Sequence, residues 1–382
     1  MEDFRGADGM LLIGASENNA DLHYASGFLA PDPYTFVQSA EASTILVSEL
    51  EIDRAKAQAG VDRVLSIAPF QHQAAQQSPP LPAACLYFGA VALALSEIGL
   101  KRLLVPAEFP LAAADFLRAA GYELQVAEPP LFPQRAIKSP AELDAIQSAL
   151  KAAEAGMEAA IAALRASSVE DDGLLRLEGE TLTSEKIRYL IHHRLLELNC
   201  VAEHTIVACG RDSCDPHEEG SGPLRAHQPI VIDIFPRSAA TRYFGDITRT
   251  VVKGRAGDSL KRMYETVLSA QERGLSLVCN QADGREIHRE ILALFEEAGF
   301  ETGERDGRIQ GFFHGTGHGL GLEIHESPSI SSRGGRLETG HVVTVEPGLY
   351  YAGVGGVRIE DVVAVEDGGC RVLTSFPRFL EL

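Results

Sequence analysis

The sequence predicts two domains of different class, an α/β domain over residues 1–132 and an α+β domain over residues 133–382. Residues 10–130 alternate short apolar runs with helical segments, which is the rhythm of strands packed against helices. Glu128-Pro-Pro-Leu-Phe-Pro133 then places three prolines in six residues, and proline ends regular structure. Beyond it, long helical segments surround several hairpin-like strands. A chain of 382 residues suits two or three domains of about 100–200 residues each.

In the first domain, Met10–Gly14, Ser43–Ser48 and Arg102–Pro106 read as strands. Leu111–Gly121 reads as a helix closed by its glycine. The second domain opens on a strong helix start. Ser139 can cap, Pro140 suits the first turn, and Glu142 completes a capping box. That helix is expected to run to about Arg165. Further helices are expected over Ser184–Leu198, Ser259–Val278 and Gly284–Ala298, the last behind an Asp283-x-x-Glu286 cap. Strands are expected at Ile230–Phe235, Tyr243–Lys253, His341–Glu346 and Gly356–Val365.

Composition narrows the function. Hydrophobic residues at 45% and charged residues at 23% are globular values. Acidic residues outnumber basic ones 54 to 34, a formal charge of −20. That balance lacks the basic footprint of a nucleic-acid binder and argues against an anionic membrane surface. No apolar run reaches the ~18 residues of a membrane span. The N-terminal stretch lacks the basic region and apolar core of a signal peptide. The six cysteines form no C-x-x-C pair, so reduced thiols in a cytoplasmic protein are the expectation.

Five short segments carry the chemistry. In Val231-Ile-Asp233-Ile-Phe235 an aspartate interrupts an apolar strand, where an unpartnered carboxylate would cost several kcal/mol. Gly245-Asp246-Ile-Thr-Arg-Thr250 follows, and a hairpin would set Asp233 and Asp246 side by side. A surface hairpin with two solvated acids explains this pair equally well. Phe312-Phe-His314-Gly-Thr-Gly-His318-Gly-Leu-Gly-Leu-Glu-Ile-His325-Glu326 gathers three histidines and four glycines. It is neither a G-x-G-x-x-G nor a P-loop, and no H-E-x-x-H zinc helix is present. Val343-Thr-Val-Glu346-Pro-Gly348 and Val357-Arg358-Ile-Glu360-Asp361 each carry a glutamate on an apolar, β-branched strand. Period-2 geometry puts Arg358 and Glu360 on one face, as an ordinary amphipathic strand also would. Glu346 fits that plainer reading poorly, because the strand before it is almost wholly apolar.

Together these segments supply Asp233, Asp246, His318, Glu346 and Glu360. Two like charges ~4 Å apart at an effective dielectric of ~20 cost about 4 kcal/mol. Four converging carboxylates therefore call for four positive charges, which two divalent cations provide. One imidazole with four carboxylates is an oxygen-rich shell that favours manganese, with cobalt, iron or zinc as alternatives.

At these residues the sequence resembles the pita-bread metallopeptidases, the family of prolidase (Xaa-Pro dipeptidase), aminopeptidase P, methionine aminopeptidase and the related creatinase. The resemblance extends over nearly the whole chain. Asn19-Ala-Asp-Leu-His-Tyr24 and Gly27-Phe28 resemble a creatinase-like N-terminal domain, and Arg135-Ala-Ile-Lys-Ser-Pro-Ala-Glu142 resembles the start of the catalytic one. It implies an α+β pita-bread catalytic domain preceded by an α/β creatinase-like domain. It further implies that Asp233 chelates one of two metals, that Asp246 and Glu360 bridge both, and that His318 and Glu346 complete the second. A hydroxide bridging the two ions would attack the peptide carbonyl, with Glu346 moving the proton to the leaving nitrogen. His325 matches a histidine that steadies the carbonyl or tetrahedral intermediate. His314 and His217 match histidines lining the substrate pocket, and Arg358 an arginine beside the last ligand. The implied activity is hydrolysis of an Xaa-Pro or similar bond in a small peptide, by a homodimer, with a dipeptidase favoured over an aminopeptidase.

One segment departs from the pattern. The family carries Asp-x-Gly at the first ligand, whereas here Asp233-Ile-Phe-Pro-Arg237 begins a longer hairpin. The complete ligand set argues against creatinase chemistry, and the large N-terminal domain against methionine aminopeptidase. A hydrolase or lyase of the same fold acting on a non-peptide small molecule is the alternative. A non-catalytic binding protein that keeps the fold is the third.

Overall fold

The computed structural model describes Phe4 and residues 6–382. It divides into two compact units between Pro133 and Gln134.

The first unit is built on a six-stranded mixed sheet. Gly9–Gly14 sits inside it, antiparallel to Tyr34–Ser39 and parallel to Arg102–Val105. Ser43–Val47 and Arg63–Ser66 extend one side, and Glu123–Val126 closes the other. Successive side chains in a strand face opposite ways. Leu12, Phe36 and Ile45 accordingly pack with Leu22 and Phe28 in one apolar cluster. Leu11, Val37 and Leu46 pack with Val91, Leu95 and Leu117 in another. The expected helix at Leu111 runs to Ala119, and Gly121 follows with φ +84°. Another helix of this unit, Leu86–Ile98, was not expected from the sequence. Its LYFGAVALAL stretch is apolar almost throughout, so neither helical nor strand periodicity stands out.

The second unit begins with the 27-residue helix Pro140–Ala166. Its capping box is complete: the Ser139 amide donates to Glu142 Oε2 at 2.8 Å, and the Glu142 amide donates to Ser139 Oγ at 3.3 Å. Helices at Ser184–Glu197, Asp258–Leu277 and Gly284–Glu297 follow the expected order. Asp283 does cap the last of them, but its carboxylate takes the Arg285 amide and guanidinium, and Glu286 turns to Arg289 instead.

Two antiparallel sheets carry the polar centre. Ile230–Ile234 lies between Ile206–Cys209 and Ile247–Val251. The second sheet runs in the order Glu326–Ile330, Gly317–Gly319, Val342–Val345, Asp361–Glu366, Gly369–Val372. The single strand expected over Gly356–Val365 is two strands, Gly355–Arg358 and Asp361–Glu366, in different sheets. The chain changes sheet at Ile359-Glu360, where the Glu360 amide donates to the Thr248 carbonyl of the neighbouring strand at 3.1 Å.

Candidate metal centre

Strand register places the acids. Asp233 pairs with Thr248 and Ile234 with Ile247, so Asp246 stands one step before its strand. Residues two apart share a face, which puts Thr248 and Asp246 on the side of Asp233. The two aspartates are thus diagonal neighbours rather than directly opposed. Thr248 uses the same face: its hydroxyl donates to Glu360 Oε2 at 2.8 Å. Glu360 therefore reaches the centre from the point where the chain changes sheets.

The second sheet contributes His318 and Glu346. The His318 amide donates to Thr344 Oγ1 at 3.0 Å, and the Glu346 amide to the Thr316 carbonyl at 2.8 Å. His318 Nδ1 lies 3.1 Å from the Gly319 carbonyl. That contact assigns the proton to Nδ1 and leaves Nε2 as a lone pair aimed at the acids. Nε2 is 3.7 Å from Asp246 Oδ2 and 3.4 Å from Glu346 Oε1. Donor atoms of Asp246, His318 and Glu360 all lie within 4.8 Å of one another.

Electrostatics shows what this cluster lacks. Burial pushes the Asp246 carboxyl well above its usual range, with further repulsion from Glu360, Asp233 and Glu346. Burial raises Glu360 in the same way, reinforced by Glu346 and Asp233. Glu346 is pushed up to about 8, chiefly by burial. Burial holds His318 down to about 3, so its imidazole is neutral. Among the described residues, Oδ1 of Asp233 and Oε1 of Glu360 are buried without a hydrogen-bond partner. Buried carboxylate oxygens need donors or cations. Unpaired oxygens, a neutral imidazole lone pair and mutually repelling acids are the donor set of a hard divalent cation.

Around the donors lies a hydrogen-bonded shell. Arg358 donates from Nη2 to Asp233 Oδ2 at 2.7 Å and from Nη1 to the Tyr350 hydroxyl at 3.0 Å. Tyr350 meets His314 Nε2 at 2.9 Å, while His314 Nδ1 lies 2.7 Å from the Gly315 carbonyl. Because Nδ1 carries the proton, Nε2 accepts from the Tyr350 hydroxyl. Burial, helped by Arg358, holds His314 down to about 3, so it stays neutral. Both of its nitrogens are engaged. His325 is exposed, and its ring packs edge-on against His318 with centroids 4.4 Å apart. His217 is also exposed, its amide donating to Asp215 Oδ1 at 3.3 Å.

Two participants are absent from the sequence reading. Thr248 could have been found by its period-2 relation to Asp246. Tyr350 stands among Gly348-Leu-Tyr-Tyr351 with no polar pattern to mark it. A trace of it lies in Gly348, where an added Cβ would sit 2.5 Å from the Tyr350 hydroxyl.

The sequence profile of metallopeptidase family M24 matches residues 144–367, which include Asp233, Asp246, His318, Glu346 and Glu360. The chain belongs to metallopeptidase family M24. It shares 33% identity over 248 residues with the Xaa-Pro dipeptidase of Pyrococcus furiosus, covering 64% of this chain and 65% of that protein. The aligned stretch thus spans just under two thirds of that relative. With the Xaa-Pro dipeptidase of Pyrococcus horikoshii it shares 27% over 366 residues, covering 95% and 92%. Among solved structures, an Xaa-Pro dipeptidase from Bacillus anthracis superimposes with a TM-score of 0.82 at 26% identity, covering 99% of this chain and 96% of that one. The architecture of this M24 member is accordingly the pita-bread catalytic fold with a creatinase-like N-terminal unit. Family membership also implies divalent metal, which the donor set fits. Among the described residues no helix is long and apolar enough to cross a membrane.

Proposed function

We propose that this M24 protein hydrolyses the Xaa-Pro bond of short peptides at a centre of two divalent cations held by Asp233, Asp246, His318, Glu346 and Glu360. The observation that carries this reading is the cluster of Asp246, His318 and Glu360 donors within 4.8 Å, with Glu346 Oε1 3.4 Å from the same imidazole nitrogen. When bound, the cations supply Lewis acidity and make water nucleophilic near neutral pH. Asp246 and Glu360 would be the residues shared by the two cations. Asp233 offers Oδ1, because Arg358 occupies its other oxygen.

The chain's own groups do the rest. Glu346 accepts a proton from the attacking water and returns it to the departing proline nitrogen. His325, exposed at the edge of the centre, donates to the scissile carbonyl oxygen as charge develops there. His217 and His314 line the substrate pocket. His314 does so as a fixed neutral ring, since both nitrogens are already engaged. Arg358 orients Asp233 and Tyr350 together.

The proline preference and the dipeptide preference rest on the relatives, two of which bear the name Xaa-Pro dipeptidase. Manganese as the metal, a homodimer and a cytoplasmic setting complete the proposal. The test compares kcat/KM for an Xaa-Pro dipeptide and an Xaa-Pro-Yaa-Yaa tetrapeptide, with manganese, cobalt and zinc in turn. A higher value for the dipeptide is expected. Preference for the tetrapeptide would make the protein an aminopeptidase. No turnover of either by protein holding two metals would redirect the reading to a non-peptide small molecule.

A further inference from the structure

Next to His325 lies a buried charge cluster that the mechanism does not use. Glu326 has its side chain only 6% exposed, and Lys138 only 2%. Lys138 Nζ donates to Glu326 Oε2 at 2.9 Å, and Arg135 Nη2 to Oε1 at 2.5 Å. Arg135 also reaches the exposed Glu323 at Oε2, 3.0 Å away.

The Glu326 carboxylate closes the loop that presents His325. Its Oε1 accepts the Glu323 amide at 3.0 Å, and the Gly321 amide donates to the Glu323 carbonyl at 3.1 Å. A Cβ at Gly321 would lie 2.6 Å from Glu326 Oε2, so the carboxylate fills the space where a side chain would stand. The Arg135–Lys138 segment is itself anchored. The Lys138 amide donates to the Gly340 carbonyl at 2.8 Å, and Ile137 bridges to His341. Among the described residues no hydrogen bond holds the His325 imidazole. Its position is set by the loop backbone and by the edge-on contact with His318.

We propose that Lys138, Arg135 and Glu326 are positioning residues that fix His325 over the metal centre by clamping the Gly321–His325 loop. The clamp acts through His325, so the proposal rests on the role given to that histidine above. A misplacement of about 1 Å at a reacting centre costs as much as 100-fold in rate.

The test is a double-mutant cycle on metal-loaded protein with an Xaa-Pro dipeptide. Glu326→Gln and Lys138→Met are expected to lower kcat at least about tenfold, with KM and the metal content held. In a His325→Ala background the same changes should cause no further loss. Lys138→Met leaves Arg135 on Glu326, and so serves if Glu326→Gln fails to fold. A second readout needs no turnover: in metal-free protein, the ring resonances of His325 should shift in both clamp variants while those of buried His288 stay. Losses that multiply in the double variants, metal lost in step with kcat, or unmoved His325 resonances would each overturn the clamp. If His325→Ala turns over normally, the catalytic role of His325 fails. The ring resonances report separately whether the clamp positions His325, because they need no turnover.

Discussion

Arg358 and Asp233 form a buried pair at 2.7 Å, and this pair faces the centre while Asp233 Oδ1 remains without a hydrogen bond. One oxygen of Asp233 is thus committed to a guanidinium. The arrangement fixes which oxygen is free and keeps a permanent positive charge beside acids that repel one another.

Arg358→Met should therefore harm the metal-free protein most. Removing one partner of a buried pair costs roughly 3–5 kcal/mol, because the other charge is left uncompensated. Bound cations would offset part of that loss. Urea unfolding with chelator and with manganese measures it: the stabilisation by manganese should be larger in the variant than in the parent. Equal stabilisation would mean that Arg358 does not share the neutralising role with the metals.

Metal content separates the donors from their neighbours. Protein reconstituted with manganese should hold about two ions per chain, the number that balances four carboxylates. Glu360→Ala should lose most of them, since the proposed bridging carboxylate serves both. His318→Ala should weaken binding as well as activity. His325→Ala should keep its metal and lose roughly 10²–10³ in kcat, the scale of a lost oxyanion donor. Elemental analysis beside steady-state kinetics decides this, and equal metal loss in both histidine variants would sink the distinction.

Asp233 is marked in the sequence because it interrupts an apolar strand, where a charge without a partner is costly, whereas Asp246, Glu346 and Glu360 stand at strand ends. The Asp233–Asp246 relation is legible only roughly. A hairpin pattern suggests side-by-side acids, but register pairs Asp233 with Thr248 and sets Asp246 on the diagonal. The hydrogen-bonded shell is mostly hidden. Tyr350 reaches His314 and Arg358 from a separate strand pair, and no local pattern encodes that meeting. The Glu326 clamp is hidden for the same reason, since its partners lie 188 and 191 positions away. Sequence periodicity reports which face a residue takes, whereas such contacts depend on how sheets and loops are stacked.

Acid stability should report the Glu326 clamp. Burial alone would raise this carboxyl, but Lys138 and Arg135 outweigh it and hold it below its ordinary value. A depressed folded pKa contributes stability above the unfolded carboxylate pKa, and that contribution is lost as pH falls through the folded value. Glu326→Gln should thus be less stable than the parent at neutral pH, and the gap should narrow as acid is added through and below the carboxylate range. Urea unfolding of metal-free protein across that range tests it. A gap that stays constant would show that the charge of Glu326 is not what the cations hold.

The Tyr350 hydroxyl has two duties at once, accepting from Arg358 Nη1 and donating to His314 Nε2. Tyr350→Phe keeps the ring and removes both bonds. It leaves a buried imidazole acceptor unpaired, which costs about 1–3 kcal/mol. It also frees an Arg358 N–H that no longer has the hydroxyl. Because the Gly315 carbonyl still holds the proton on His314 Nδ1, the ring should keep its tautomer and remain neutral. Nitrogen shifts of His314 in metal-free protein should therefore show Nε2 losing its donor while Nδ1 is unchanged. Metal content should stay at the parent level, since Tyr350 touches Asp233 only through Arg358. Activity should fall through the loosened Arg358 and the altered pocket wall. If Nδ1 loses its proton to Nε2 in the variant, Tyr350 rather than Gly315 sets the tautomer, and His314 would then be able to donate to substrate.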